Sequence, residues 1–204
     1  MNDEQSKLQA SCSTVGMVVR VAFYLLLLIL AIKIGSNLWL STIASSQYHA
    51  IKNYDQSITI TAMSKDYASV RIPAALTVPE RTISHKKTVF LISAWTDCIT
   101  LVLISAIMWH LRNIFKRIDK DGSPFQKKNV NDLCRSAFIM MSLSIVPAFF
   151  QAFLLITLGI AQSAALNEIL NPKLSWLLTG GIILCIAQIF RYGCYLQTES
   201  DETL

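Results

Sequence analysis

The chain has 204 residues, 53% hydrophobic and only 15% charged, with a formal net charge of +5. A soluble domain carries about a quarter charged residues. The deficit sits in long runs nearly empty of charge, which excludes an ordinary soluble fold and leaves no room for a separate aqueous domain. Zinc-finger spacing, phosphate-cradling glycine loops and aromatic-basic RNA motifs are all missing from the sequence, so direct nucleic-acid binding is not expected. Cys12, Cys98, Cys134, Cys185 and Cys194 show no CxxC spacing, and none falls in the long loop read below as external. A disulfide framework is not expected.

The first apolar run covers about 15–40 and includes Tyr24-Leu25-Leu26-Leu27-Leu28-Ile29-Leu30. It exceeds the roughly 20 residues that a span needs. Arg20 and Lys33 can snorkel towards opposite interfaces, and Trp39 suits an aromatic belt. The run is long for a signal-peptide core and no A-x-A-like site follows it, so retention is expected.

The segment 41–87 is too long for a plain turn. Ile58-Thr59-Ile60-Thr61-Ala62 alternates in polarity, Ser64-Lys65-Asp66 can turn the chain, and Tyr67 to Ile72 can return to Pro73. The expectation is a small β-hairpin over the outer face, read first as a plain structural lid, with a ligand-binding cap as the alternative. His49 and His85 bracket the loop but lack the further ligands that a metal needs.

The second span is expected over about 88–110. Asp97 lies about nine residues into it, roughly 14 Å by helical rise. An intramembrane carboxylate should face the bundle, protonated or paired. Ser93, Asp97 and Thr100 share a helix face. By depth Asp97 is level with Pro147, which frees the Leu143 carbonyl, and Gln151 lies one turn further out. Asp97, Gln151 and Pro147 form the candidate intramembrane polar site. A polar clamp between helices is the plainer reading, and a proton or cation site the sharper one.

The segment 111–135 is densest in basic residues, with Arg112, Lys116, Arg117, Lys120, Lys127, Lys128 and Arg135. The positive-inside rule places it, and both termini, in the cytoplasm. Leu111, Ile114, Phe115 and Ile118 form one apolar face continuing the second helix. After Asp119 to Gly122, Ser123 can cap a new helix, Pro124 can take its first position, and Gln126 can complete a capping box. Val130, Leu133, Cys134 and Ala137 then lead into the third span. This helical hairpin is read either as a basic collar on anionic lipid or as a docking site for a cytosolic partner.

The third span is expected over about 136–160 and the fourth over 174–191. Ser144, Ala148 and Ala152 on the third, and Gly181 and Cys185 on the fourth, mark expected close helix contacts. No nucleophile–base pair, HExxH or paired carboxylates occur, so neither enzyme activity nor a cofactor is expected. The fold class is an all-α membrane protein: one domain, a four-transmembrane-helix bundle with a small external β-hairpin and a cytoplasmic helical hairpin.

Two segments carry a resemblance. Ile118-Asp119-Lys120-Asp121-Gly122-Ser123-Pro124-Phe125, followed by Asn129 and Leu133, is one. Ile186-Ala187-Gln188-Ile189-Phe190-Arg191-Tyr192-Gly193, with Leu196, Gln197 and Asp201, is the other. Both resemble motifs of a bacterial four-span membrane family of unknown function, the DUF family numbered 2975. Gln188 stands where that family often has Glu, Gln126 where Thr is frequent, and Thr203 where an apolar residue is usual. The resemblance implies the bacterial inner membrane and pairing with a small helix-turn-helix regulator. Asp121, Gly122, Ser123, Pro124, Phe125, Asn129, Phe190, Arg191, Tyr192 and Gly193 would form the interaction motif. The rival expectation is a small proton-coupled transporter or channel, a homo-oligomer acting through Asp97.

Overall fold

The computed structural model describes residues 3–63, 68–76, 78–121, 124–161 and 173–202. Helix α1 is Asp3–Thr42, α2 Pro79–Ser84, α3 Lys86–Asp121, α4 Lys127–Ser142, α5 Val146–Thr157 and α6 Leu174–Glu202. Strands β1 (Tyr48–Lys52), β2 (Ile58–Ala62) and β3 (Ala68–Ile72) lie between α1 and α2. Four segments are long and apolar enough to cross a membrane: Cys12–Thr42, Lys86–Lys120, Lys127–Thr157 and Leu174–Ser200, with mean hydropathies of 2.6, 2.0, 2.1 and 1.6. Val18, Leu25, Leu28 and Ile32 of α1 are exposed, as are Phe149 and Phe153 of α5 and Ile182 and Ile189 of α6. Apolar surface on this scale needs an apolar surrounding, which a bilayer supplies.

The chain divides into two compact units. The sheet unit comprises Leu30–Leu101 and Ser144–Lys173. Its sheet is antiparallel in the order β1-β2-β3, with Ile60 opposite both Ala50 and Val70. The expected hairpin is therefore the β2–β3 half of a three-stranded sheet, and β1 is an addition. Its pairing meets the backbone groups of β2 on the second side, which a lone hairpin would leave unpaired. Asn53 anchors the β1–β2 turn, its Nδ2 donating to Ser57 Oγ and Thr59 Oγ1, both at 2.9 Å. The expected β2–β3 turn at Ser64-Lys65-Asp66 lies outside the described residues.

The unit's core joins the sheet to helices. Tyr48, Ile58, Ile60, Ala62 and Ile72 are fully buried with Val89 and Phe90 of α3 and Ala152 and Leu155 of α5. The Tyr48 hydroxyl donates to the Leu40 carbonyl at 2.6 Å, and its ring meets Phe90 edge-on at 5.3 Å. Lys87 Nζ donates to the Ile43 carbonyl at 2.7 Å. Helix α5 stops at Gly159, whose φ is +67°. The Gly159 amide returns to the Ile156 carbonyl and the Ile160 amide to Leu155. These are the paired bonds of a Schellman stop, whose left-handed position favours glycine. Arg81 adds a 2.8 Å bond to the Gly159 carbonyl.

The expected third span is two helices. Pro147 is the second residue of α5, and residues 143–145 break the ladder after α4. Proline lacks an amide donor and its ring clashes with the carbonyl four residues earlier, here Leu143.

The hairpin unit comprises Met1–Ile29, Val102–Leu143 and Leu174–Leu204. In it α4 packs along α6. A Cβ on Gly180 would lie 2.5 Å from Met141 Cγ and 2.9 Å from the Ala137 carbonyl oxygen. Gly180, Ala187 and Cys194, each seven residues apart, form the buried small-residue line of α6. This corrects the expected contact at Gly181 and Cys185: nothing lies within 4 Å of a Cβ at Gly181, and Cys185 is exposed. The start of α4 is also later than expected. Gln126 holds the extended cap position (φ −124°, ψ 139°) without a side-chain cap bond, so Pro124 precedes the helix. Gly122, Ser123 and the Asp121 side chain lie outside the described residues.

Candidate functional site

The site is assembled in the hairpin unit, where α3 and α4 share a buried charge cluster. His110 and Arg117 lie seven residues apart on α3, two turns along one face. On α4, Asn129 and Asp132 lie three apart. Asp132 accepts from His110 Nδ1 at 2.8 Å and is bonded by Arg117 Nη2. Its side chain is only 9% exposed, and Arg135 Nη1 stands 3.8 Å away. Arg117 Nε donates to Asn129 Oδ1 at 2.8 Å, and Asn129 Nδ2 to the Pro124 carbonyl at 3.0 Å. The cluster therefore fixes the segment that carries Phe125 just before α4.

Phe125 joins the two motif segments. Its ring centroid lies 5.4 Å from that of Phe190 on α6. A Cβ on Gly193 would lie 2.5 Å from Phe125 Cδ1 and 2.6 Å from Cε1. Glycine at 193 is thus what lets the phenyl ring rest on the α6 backbone. Phe125 is still 41% exposed, and Arg191 and Tyr192 project from α6 into the open. Along the α4–α6 seam runs a cavity of about 700 Å³ lined by Lys127, Val130, Asn131, Arg191, Cys194, Tyr195, Thr198 and Glu199. It is an open groove that mixes apolar surface with two cations and a carboxylate.

Of the expected interaction motif, Pro124, Phe125, Asn129, Phe190 and Gly193 converge. The sequence reading missed Asp132, His110 and Arg117. The apolar stripe of α4 gave no signal for Asp132, which lies roughly 160° round the helix from Val130.

The intramembrane polar residues do not form one site. Asp97 lies 3.6 Å from Lys33 of α1, with 60% and 46% of the two side chains exposed. The expected orientation of Asp97 into the bundle is thus corrected. Lys33 supplies the countercharge from α1, so the carboxylate is balanced on the helix flank. Gln151 instead donates to Ser93 Oγ at 2.9 Å, and Pro147 marks the helix break. Asn37 is buried nearby, and its Nδ2 donates to the Ala94 carbonyl at 3.0 Å and Cys98 Sγ at 3.2 Å.

Comparison with family profiles, with curated proteins and with solved structures finds no match.

Proposed function

We propose that the chain is a non-catalytic regulatory protein of a bacterial inner membrane that docks a cytosolic partner on the hairpin unit. The observation that carries this reading is the convergence of Phe125 with Phe190 and Gly193, beside a groove rimmed by Lys127 and Arg191. Residues far apart in sequence build one exposed surface with an aromatic anchor and cationic edges, the composition of an interaction hot spot. The basic residues of 111–135 argue for a cytoplasmic location of that surface. The resemblance to the four-span family suggests a small helix-turn-helix regulator as the partner, and membership of that family is part of the proposal.

The test is whether a small DNA-binding protein is encoded beside this chain and is captured by the full tagged chain in native membranes. Phe125→Ala and Arg191→Glu should each abolish recovery while Asp97→Asn leaves it intact. Undiminished recovery with both variants would overturn the docking reading. A reporter inserted after Lys120 should be active only in the cytoplasm, and activity on the other side would overturn the orientation.

A second reading has one observation in its favour. The Lys33–Asp97 pair is an exposed ion pair within two span-length helices, and ionisable residues at such depth often mark ion pathways. On this reading the chain is a small proton-coupled transporter or channel acting as a homo-oligomer. Proton-coupled flux in proteoliposomes, lost in Asp97→Asn, is its required result.

A further inference from the structure

We propose that Arg112 and the aromatic rings around it form a specific site for a phosphate group, supplied by the headgroup of an anionic phospholipid. The Arg112 guanidinium lies over three rings, 5.4 Å from the centroid of Phe23, 5.3 Å from Tyr24 and 5.5 Å from Trp109. Its Nη2 donates to the Tyr24 hydroxyl at 3.2 Å. Its Nε is buried and has no hydrogen-bond partner among the described residues.

That arrangement is incomplete as it stands. Aromatic faces attract a cation, but they accept no N–H hydrogen bonds in the guanidinium plane and leave its charge unneutralised. An arginine offers five N–H donors, and one of them reaches Tyr24. No Asp or Glu occurs in residues 12–33 or 102–118, and no described carboxylate pairs with Arg112. The in-plane edge of a fixed guanidinium is the shape that a phosphate matches with two parallel bonds.

The surroundings select the kind of phosphate. Arg20 precedes Tyr24 by one helical turn and Lys116 follows Arg112 by one, and both are exposed. A Cβ on Gly16 would touch Phe115 Cβ at 3.4 Å, so α1 and α3 lie close beside this group. Next to the cations, Val21, Leu25 and Leu28 of α1 are exposed and apolar, and Tyr24 and Trp109 are about half exposed. Cations, belt aromatics and an apolar flank in sequence are the profile of a lipid headgroup with its acyl chain. The level also fits. From Arg20 to Trp39 the rise along α1 is about 28 Å, close to the hydrocarbon thickness of a bilayer. Arg20 and Arg112 thus fall where lipid phosphates lie. This site uses none of the residues assigned to partner docking.

The test is native mass spectrometry of the full chain released from nanodiscs. The nanodiscs hold equal phosphatidylglycerol and phosphatidylcholine, and selective retention of one phosphatidylglycerol by the wild type is expected. Arg112→Gln should lower that retention about tenfold or more, the loss of a charge-assisted bond pair. Arg112→Lys, which keeps the charge and is the variant more tolerant of packing, should lower it less. Tyr24→Phe should lower it a few-fold. Lys128→Gln, remote from the cage in sequence, should change nothing. Equal retention by wild type and Arg112→Gln, or equal retention of the two lipids, overturns the site. Displacement of the bound lipid by millimolar inorganic phosphate overturns the lipid as the phosphate's source.

Discussion

The sheet unit and the hairpin unit are held together by different physics. The sheet unit closes like a small soluble domain, on an apolar centre of Tyr48, Ile58, Ile60, Ile72, Phe90 and Leu155. Single bonds to the backbone carbonyls of Leu40, Ile43 and Gly159 are among the polar contacts around that centre. The hairpin unit centres on a carboxylate, with Asp132 between His110 and Arg117. An apolar core tolerates partial loss, since each residue adds its own increment of buried area. A buried charge cluster does not, because removing one member strands the others in a poorly solvated place. The unit that carries the candidate site is thus the one with the least tolerance for substitution.

The strongest way to break this contrast is Asp132→Ala. It should cost about 3–5 kcal/mol, since Arg117 loses its buried counterion and His110 its hydrogen-bond partner. Equilibrium unfolding in detergent measures it. The sharper test joins Asp132→Leu to Arg117→Met, which should recover most of the loss, because two apolar groups leave no stranded charge. A double variant no better than Asp132→Ala would sink the account of the cluster. In the sheet unit, Ile60→Ala should cost about 2–4 kcal/mol from lost burial and the cavity left behind, with faster exchange of the β2 amides. Next comes Gly193→Val, at about 1–3 kcal/mol, because a branched side chain must displace the Phe125 ring. Its diagnostic is reduced partner capture at a temperature where the chain remains folded. Tyr48→Phe is milder, about 1 kcal/mol, for the lost bond to Leu40.

The smallest effect is a pH dependence in the sheet unit. Hydrogen bonds from the Ser57 hydroxyl and from Arg71 hold the exposed Asp55 carboxyl below its ordinary range. Because the folded value is depressed, its contribution is complete above the ordinary carboxylate range. It fades as the pH falls through that range to the lowered value. Amide exchange in the β1–β2 turn should accelerate over that acid window, and Asp55→Asn should remove the dependence. An unchanged acid profile in that variant would show that Asp55 does not tie down the turn.

The spans were legible because a chain crossing lipid must be apolar over a fixed length, and that constraint is written residue by residue. The helical continuation over 111–118 was legible too, since Ile114 is buried on the face its spacing marked. Strand β1 was harder. In Tyr48-His49-Ala50-Ile51-Lys52 the apolar Ile51 is exposed, which spoils the alternation. The β1–β2 turn was the usable clue, with Asn53, Asp55 and Ser57 clustered between two strands. The register of the small residues on α6 misled by one position. Gly180 and Gly181 are equivalent in composition, and only the partner helix decides which of them is covered.

By itself, the sequence determined the four span-length apolar segments, the basic connector between the second and third, and a strand pair in the long loop. All three follow from local rules of hydropathy, charge and alternation. Only the tertiary structure decided that Asp97 pairs with Lys33, that Asp132 lies between His110 and Arg117, and that Phe125 rests on Gly193. Those contacts join residues 15 to 68 positions apart. Their energy depends on which side chains desolvate one another, a property of the packed helices rather than of any single segment.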